Sequence, residues 1–164
     1  MNRSFLKNNL TNPIILLFIY ASICLVTSCD QNRFFDQSVK IPETGWHLDS
    51  VAMFELEVMD TLGFYSFYIN LRNTTDYTYS NFYLFLNTTL PDGEHARDTI
   101  ELILADKKGK WIGKGSGRLR DNQILIRPNL HFPLKGKYVF GIQHAMRDTI
   151  LTDIKNIGIR IEKW

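Results

Sequence analysis

The chain is 164 residues long, with 19 Lys and Arg, 17 Asp and Glu and two cysteines. Arg3 and Lys7 both lie in the first eleven residues, so the remainder carries 19 − 2 = 17 bases against 17 acids and no basic tract. That neutrality argues against nucleic acid and against electrostatic docking on anionic lipid, and two cysteines are too few for a disulfide framework.

Residues 1–11 are a positively charged lead, and residues 14–26 follow as an apolar run of thirteen residues. That suits the core of an export signal and falls short of the ~20 residues a bilayer span requires. The run ends at Val26-Thr27-Ser28-Cys29, a branched aliphatic, two small residues and a cysteine. This is the pattern that bacterial lipoprotein signal peptidase reads. Cys24 follows Ile23, which is too bulky for such a cleavage pocket. We therefore read residues 1–28 as a lipoprotein signal peptide and Cys29 as the lipidation site. The plainer alternatives are an ordinary signal peptide or an uncleaved anchor. One acyl chain holds a protein only marginally, whereas two or three make attachment effectively permanent. The expected location is the cell envelope, lipid-anchored to a membrane and facing the periplasm. Asp30 does not decide between inner and outer membrane.

The mature chain has 164 − 28 = 136 residues, one domain's worth. Residues 29–45 read as a lipidated tether, with a Pro42/Gly45 turn, and residues 46–164 as the domain. Trp46 is its first expected anchor. Phe54, Leu56 and Val58 alternate with Glu55 and Glu57, and Tyr65, Phe67, Ile69 and Leu71 with Ser66, Tyr68, Asn70 and Arg72. Both patterns predict half-buried strands, and Asp60-Thr61-Leu62-Gly63 predicts a hairpin turn joining them. Residues 82–86 are nearly all apolar, as in a strand covered on both faces. Pro91-Asp92-Gly93 is a turn, residues 100–104 a strand, and Asp106-Lys107-Lys108-Gly109 another tight turn. Residues 119–126 leave room for a short helical turn around the strand Ile124-Leu125-Ile126. Tyr138, Phe140 and Ile142, then Ile157, Ile159 and Ile161, complete about eight short strands at roughly ten-residue spacing. The predicted fold is all-β, a two-sheet antiparallel β-sandwich of immunoglobulin-like or jelly-roll type.

Motifs for chemistry are weak. Gly113-Lys114-Gly115-Ser116-Gly117 is not a phosphate loop, because Gly rather than Ser or Thr follows Lys114 and no helix follows. Nor is Ser116 in a nucleophile elbow, since Lys114 and Arg118 stand where glycines belong. The glycines are more simply read as letting the Trp111 ring lie across a strand. His47, His95, His131 and His144 are scattered, with no pair at metal-ligand spacing. No pair of acids stands out for hydrolysis.

One pattern exceeds chance. Asp, then Ser or Thr, then an aliphatic occurs at Asp49-Ser50-Val51, Asp60-Thr61-Leu62, Asp98-Thr99-Ile100 and Asp148-Thr149-Ile150. It matches a periplasmic O-glycosylation acceptor pattern of Bacteroidetes-type bacteria, making Ser50, Thr61, Thr99 and Thr149 candidate acceptors. The structural alternative is turn chemistry, the Asp bonding its own backbone as a strand begins.

Across the mature chain a resemblance emerges. Tyr77-Thr78-Tyr79-Ser80-Asn81, Pro91-Asp92-Gly93, Asp98-Thr99-Ile100, Leu104-Ala105-Asp106 and Gly109-Lys110-Trp111-Ile112-Gly113-Lys114-Gly115 resemble the gliding-motility lipoprotein GldH family of Bacteroidetes. So do Gly136-Lys137-Tyr138-Val139-Phe140, Met146-Arg147 and the ending Gly158-Ile159-Arg160-Ile161-Glu162-Lys163. The resemblance implies an envelope lipoprotein associated with the gliding machinery and linked to type IX secretion, without enzyme activity or cofactor.

Three readings compete. The first is a non-catalytic scaffold or assembly factor that binds other envelope or motility proteins, with Tyr77, Tyr79, Asn81, Arg147 and Arg160 as candidate contacts. The alternative for those residues is structural, a buried tyrosine with a satisfied hydroxyl and an arginine crossing a sheet edge. The second is an envelope glycan-binding module that uses Trp46, Trp111 or Tyr83 as a platform. The third, a hydrolase, requires a cleft of convergent acids or histidines.

Overall fold

The computed structural model describes residues 32–164, so the signal peptide and Cys29 lie outside the described residues. Ten strands follow one another: β1 (Arg33–Lys40), β2 (Trp46–His47), β3 (Ala52–Val58), β4 (Tyr65–Thr74), β5 (Asn81–Thr89), β6 (His95–Ile103), β7 (Leu119–Leu130), β8 (Gly136–His144), β9 (Ile150–Leu151) and β10 (Ile154–Lys163). Eight long strands form two four-stranded antiparallel sheets. Sheet I runs β1-β10-β4-β7, sheet II runs β3-β8-β5-β6, and β2 and β9 pair as a small ribbon. Counting only the long strands along the chain, the orders are 1-8-3-6 and 2-7-4-5. That is jelly-roll connectivity, which decides between the two sandwich types expected.

Strand pairing puts alternate residues on opposite faces, and the apolar set of each strand takes the inner face. Phe54, Leu56 and Val58 are buried while Met53, Glu55 and Glu57 face solvent. Phe67, Ile69 and Leu71 of β4 and Ile157, Ile159 and Ile161 of β10 form the floor of sheet I. Phe82, Leu84 and Leu86 of β5 and Tyr138, Phe140 and Ile142 of β8 are the matching buried set of sheet II. Phe67 and Phe140 link the two sets, their ring centroids 5.4 Å apart. Burial of each such side chain contributes about 1.5–3 kcal/mol relative to exposure. Trp46 caps the core as expected, stacked 5.9 Å from Phe82, with its indole N–H donating to the carbonyl of Ser50.

Four local expectations change. Residues 59–64 are not a hairpin turn, because β3 pairs with β8 in sheet II while β4 lies in sheet I. The segment crosses between sheets so that both apolar faces meet in one core. Residues 33–40, read as part of the tether, form edge strand β1, which pairs with β10. Most of its side chains are exposed, so it carries no periodic apolar signal and is held by its backbone ladder. Residues 82–86 are not covered on both faces. Tyr83 is exposed, and Phe85 lies under the Arg97 guanidinium, 4.0 Å from its ring centroid. Residues 119–126 hold no helical turn and belong to β7, paired along β4.

The turns at 90–94 and 106–109 form as predicted. Gly93 and Gly109 take φ of 88° and 77°, and Asp106 Oδ1 accepts from the backbone N–H groups of Lys108 and Lys110. The start of β1 and the end of β10 share one end of the sandwich with loops 59–64, 90–94 and 131–135. The β2–β9 ribbon, the long loop 104–118 and loops 75–80 and 145–149 occupy the other.

Gly158 of β10 lies against Gln37 and Ser38 of β1. A Cβ there would stand 2.6 Å from the Gln37 carbonyl oxygen and 2.9 Å from Ser38 Cβ. Gly158→Val therefore forces β1 outward and is expected to cost about 1–3 kcal/mol. Chemical denaturation checks this, and an unchanged midpoint would mean that β1 pairing adds nothing to stability.

Candidate functional site

The same alternation that fills the core lays a polar face on the outside of sheet I. Register places Asn70 beside Gly158 and Gln123, with Ser38 beyond Gly158. Arg160 lies between Tyr68 and Asp36, and Arg72 between Asn156 and Asp121. These residues, except Tyr68 and Gly158, line a cleft of about 730 Å³ that extends to Ile103, Ile112 and Lys114.

Most of the charge in this cleft is internally paired. Arg72 grips Asp121 with two hydrogen bonds of 2.5 and 3.2 Å, and that contact raises its already high pKa. Arg160 is only 14% exposed at its side chain. It bonds Asp36 across the β10–β1 junction at 3.0 Å and Glu162 at 2.6 Å. Between these pairs the lining is uncharged: Ser38, Asn70, Gln123 and Asn156. Asn70 Oδ1 is buried and accepts no hydrogen bond from the protein. An orphaned acceptor of this kind costs stability that an incoming donor would recover. Paired charges and free amides suit recognition by hydrogen bonding.

The predicted contact residues divide. Tyr77, Tyr79 and Asn81 do come together at the end with loop 104–118. Tyr77 is buried, donates to the Asn81 carbonyl and packs edge-on to Tyr79 at 5.6 Å; burial pushes its phenol pKa far up. Tyr79 donates to Asp148 at 2.9 Å, and Asn81 donates to Glu101 at 2.6 Å. Arg147, next to Asp148, is exposed. Arg160 lies apart from them in the cleft, crossing to the edge strand. For Tyr77 and Arg160 the structural alternative describes what is seen, whereas Tyr79 is only half-buried. Of the aromatic platform, Trp46 is buried, Trp111 is half-buried against the core and Tyr83 is exposed.

The glycine run is packed differently than its sequence suggests. The atoms nearest a Cβ on Gly113 or Gly115 are not those of Trp111. A Cβ on Gly113 would meet the Asn122 amide at 2.6 Å, and one on Gly115, at φ 137°, would meet the Leu119 carbonyl oxygen at 2.6 Å. Asn122 donates to the Leu71 carbonyl and to Asn73 Oδ1, a buried network that ties β7 to β4.

The four Asp-Ser/Thr motifs also differ from one another. Asp60 forms the expected turn, accepting from the N–H groups of Leu62 and Gly63. Asp98 pairs with Arg127, Asp148 accepts from Tyr79, and Asp49 donates its N–H to His47. Ser50, Thr99 and Thr149 are exposed, and Thr61 is half-buried. Among the described residues, no three His, Cys, Asp or Glu side chains converge as a metal site would require.

A family model described as GldH lipoprotein matches residues 33–161. The chain belongs to the GldH lipoprotein family. It is 38% identical over 156 residues to the gliding motility lipoprotein GldH homolog of Christiangramia forsetii, covering 91% of this chain and 94% of that one. It is 32% identical over 146 residues to the gliding motility lipoprotein GldH of Flavobacterium johnsoniae, covering 85% and 90%. A solved structure of the infectious bursal disease virus Gx strain matches at 10% identity and a TM-score of 0.24, covering 80% of this chain and 31% of that one. Membership of the GldH family makes this chain a gliding-motility lipoprotein, anchored at a membrane of the cell envelope.

Sequence reasoning missed the cleft, because its residues are the polar half of ordinary amphipathic strands. The available signal was that the outward positions of β4 and β10 are amides, arginines and a glycine rather than interchangeable Lys, Glu and Thr.

Sequence reasoning also passed over His144. Both ring nitrogens are buried without hydrogen-bond partners, and the ring stands edge-on to Trp46 at 5.6 Å. Burial disfavours the imidazolium and lowers its pKa below the usual 6.5. The unfolded chain then binds more protons than the folded one between the two values. Stability is complete above the unfolded pKa and declines as pH falls towards the folded one. Thermal unfolding from about pH 7 to about pH 5 should show that decline, and His144→Phe should flatten it. An equal decline in both proteins would remove His144 as its cause.

Proposed function

We propose that this lipoprotein is a non-catalytic accessory or assembly component of the gliding machinery, linked to type IX secretion. In this reading lipid on Cys29 holds it at a membrane, facing the periplasm, and the cleft of sheet I receives another envelope protein. The observation that carries the reading is Asn70: an unsatisfied acceptor between two paired arginines, on a face four strands wide. Its Oδ1 is covered, so a partner's backbone or side-chain N–H would reach it on rotation of the amide toward the cleft. Arg147, exposed near Tyr79 at the end with loop 104–118, is a second and independent contact.

Affinity purification from cross-linked native envelopes, followed by mass spectrometry, tests this. Motility or secretion subunits should be recovered with the wild-type chain and reduced about tenfold or more with Asn70→Leu combined with Gln123→Leu, in line with loss of buried polar pairing. Recovery of no such subunit, or equal recovery with the double variant, would overturn the assignment of the cleft to a partner.

The row of uncharged amides also favours a second reading, in which the cleft holds a neutral, hydroxyl-rich envelope glycan. Binding of envelope oligosaccharides that Asn70→Leu abolishes would select it over a protein partner. The exposed hydroxyls of Ser50, Thr99 and Thr149 are the accessible candidates for O-glycosylation, and half-buried Thr61 is the least accessible. Intact-mass measurement of the native lipoprotein should show added hexose, and a mass equal to the acylated polypeptide alone would exclude modification.

A further inference from the structure

The most exposed large apolar side chains of the described domain share one location. Leu62 is 86% exposed, Trp164 74% and Met59 68%, and Phe64 adds another at 55%. All four sit where loop 59–64 meets the end of β10. The arrangement is held in place by bonds. The Trp164 N–H donates to the Phe64 carbonyl at 3.1 Å, and its indole donates to Ser66 Oγ at 2.7 Å. Lys163 bonds Asp60 Oδ2 at 2.6 Å, while Asp60 Oδ1 accepts from the Leu62 and Gly63 N–H groups. The side chains are therefore presented outward by a braced loop.

The chain enters the domain at this same corner, because the Lys163 N–H donates to the Asn32 carbonyl at 2.8 Å. Cys29 precedes Asn32 by three residues, which reach at most ~11 Å when fully extended. Headgroup regions are of that order in thickness, about 5–8 Å on each side of the hydrocarbon core. A lipid on Cys29 therefore holds this end of the sandwich within roughly 3–6 Å of the headgroup surface at full extension. The residue types agree with such a place. Trp and Phe favour the membrane–water interface, and Lys163 can keep its ammonium in water above its own aliphatic stem. The near-neutral body supplies no electrostatic attraction, so any docking force must be apolar. Of the acids at this end, Asp60 is paired with Lys163 and Glu162 with Arg160, Glu57 faces solvent opposite Lys137, and Asp92 and Glu94 belong to the separate 90–94 turn beside Gly136.

We infer that Met59, Leu62, Phe64 and Trp164 form a membrane-contact face that rests in the headgroup–acyl boundary of the bilayer holding the Cys29 lipid. This inference depends on acylation of Cys29. The occupant it names is a lipid surface. The contact fixes the orientation of the domain, turning Tyr79 and Arg147 away from the membrane and leaving the sheet I cleft open at the side.

The test uses the full-length lipoprotein reconstituted in phosphatidylethanolamine–phosphatidylglycerol vesicles that contain lipids brominated near the headgroup. The Trp164 signal is taken as the difference between the wild type and Trp164→Phe. That signal should be quenched about twofold or more, and high salt should leave the quenching in place, as expected of apolar interfacial burial. Leu62→Asp with Phe64→Asp, both at exposed positions, should abolish it while the circular dichroism spectrum stays unchanged. Intact mass of the same preparation separates the two ideas. Protein without acyl mass would overturn the tether and this inference together. Acylated protein whose Trp164 is unquenched would overturn the docking alone. So would Trp164 shielded from both bromolipid and aqueous iodide, the result expected if a second copy or another protein covered this end.

Discussion

Everything in this molecule depends on the packing of one sheet face against another. Ile157, Ile159 and Ile161 on β10 pair in register with Leu71, Ile69 and Phe67 on β4, and all six are buried. Because side chains alternate with a period of two, that choice also decides which residues point outward. Arg160, Gly158 and Asn156 go out because their neighbours go in, and on β4 so do Tyr68, Asn70 and Arg72. A slip of one residue would put the arginines in the core and the isoleucines in water. The cleft is thus a by-product of the core register, which makes it rigid where it crosses β4 and β10. It is softer at β1, an edge strand held by its backbone ladder and by the Arg160–Asp36 pair.

Jelly-roll connectivity then divides labour between the ends. The start of β1 and the end of β10 lie together with loop 59–64, and the long loop 104–118 and the β2–β9 ribbon lie opposite. A tether at the N-terminus therefore brings the Met59–Phe64 loop and Trp164 near whatever the tether holds. The far end carries the Tyr77–Tyr79–Asp148 cluster and, beneath it, the Trp46–Phe82–His144 group that closes the core. Polar groups that the fold must bury are mostly paired internally: Asn122 with Asn73 and the Leu71 carbonyl, Tyr138 with Leu134. Asn70 Oδ1 and the two His144 nitrogens are the buried side-chain atoms left without partners among the described residues. The first belongs to a residue lining the cleft, and the second to a ring edge-on to Trp46. The same deficit thus reads as recognition in one place and as acid sensitivity in the other.

Seven of the eight long strands were legible because each buries one face, and burial leaves an alternating trace in composition. Phe54-Glu55-Leu56-Glu57-Val58 is the clearest instance. β1 left no such trace, since Asp36, Gln37 and Ser38 are exposed and the strand is held by its backbone ladder, the Arg160–Asp36 pair and the Phe34 and Phe35 rings at its start. The segment after Val58 was misread for a related reason. Asp60 does build a turn, but whether the strands it joins pair with one another or part into different sheets depends on partners 80 to 100 residues away. Gly113 and Gly115 announced close backbone approach correctly and named the wrong neighbour, since Asn122 and the Leu119 carbonyl reach them only across the β7 edge.

The amino-acid sequence by itself determined the class of fold, the turns at Pro91-Asp92-Gly93 and Asp106–Gly109, and the family. These depend on local dihedral preference, on alternation along single strands, and on motif order. Only the tertiary structure decided that the sandwich is a jelly roll, that Arg160 and Tyr77 serve internal bonds, and that Asn70 sits unsatisfied in a cleft between paired charges. It alone brought Leu62, Phe64 and Trp164 to the corner where the chain begins. Each of these is a meeting of residues far apart along the chain, set by the register of two sheets closing on one core. No local pattern carries that information, because the same alternating strand is compatible with many partners.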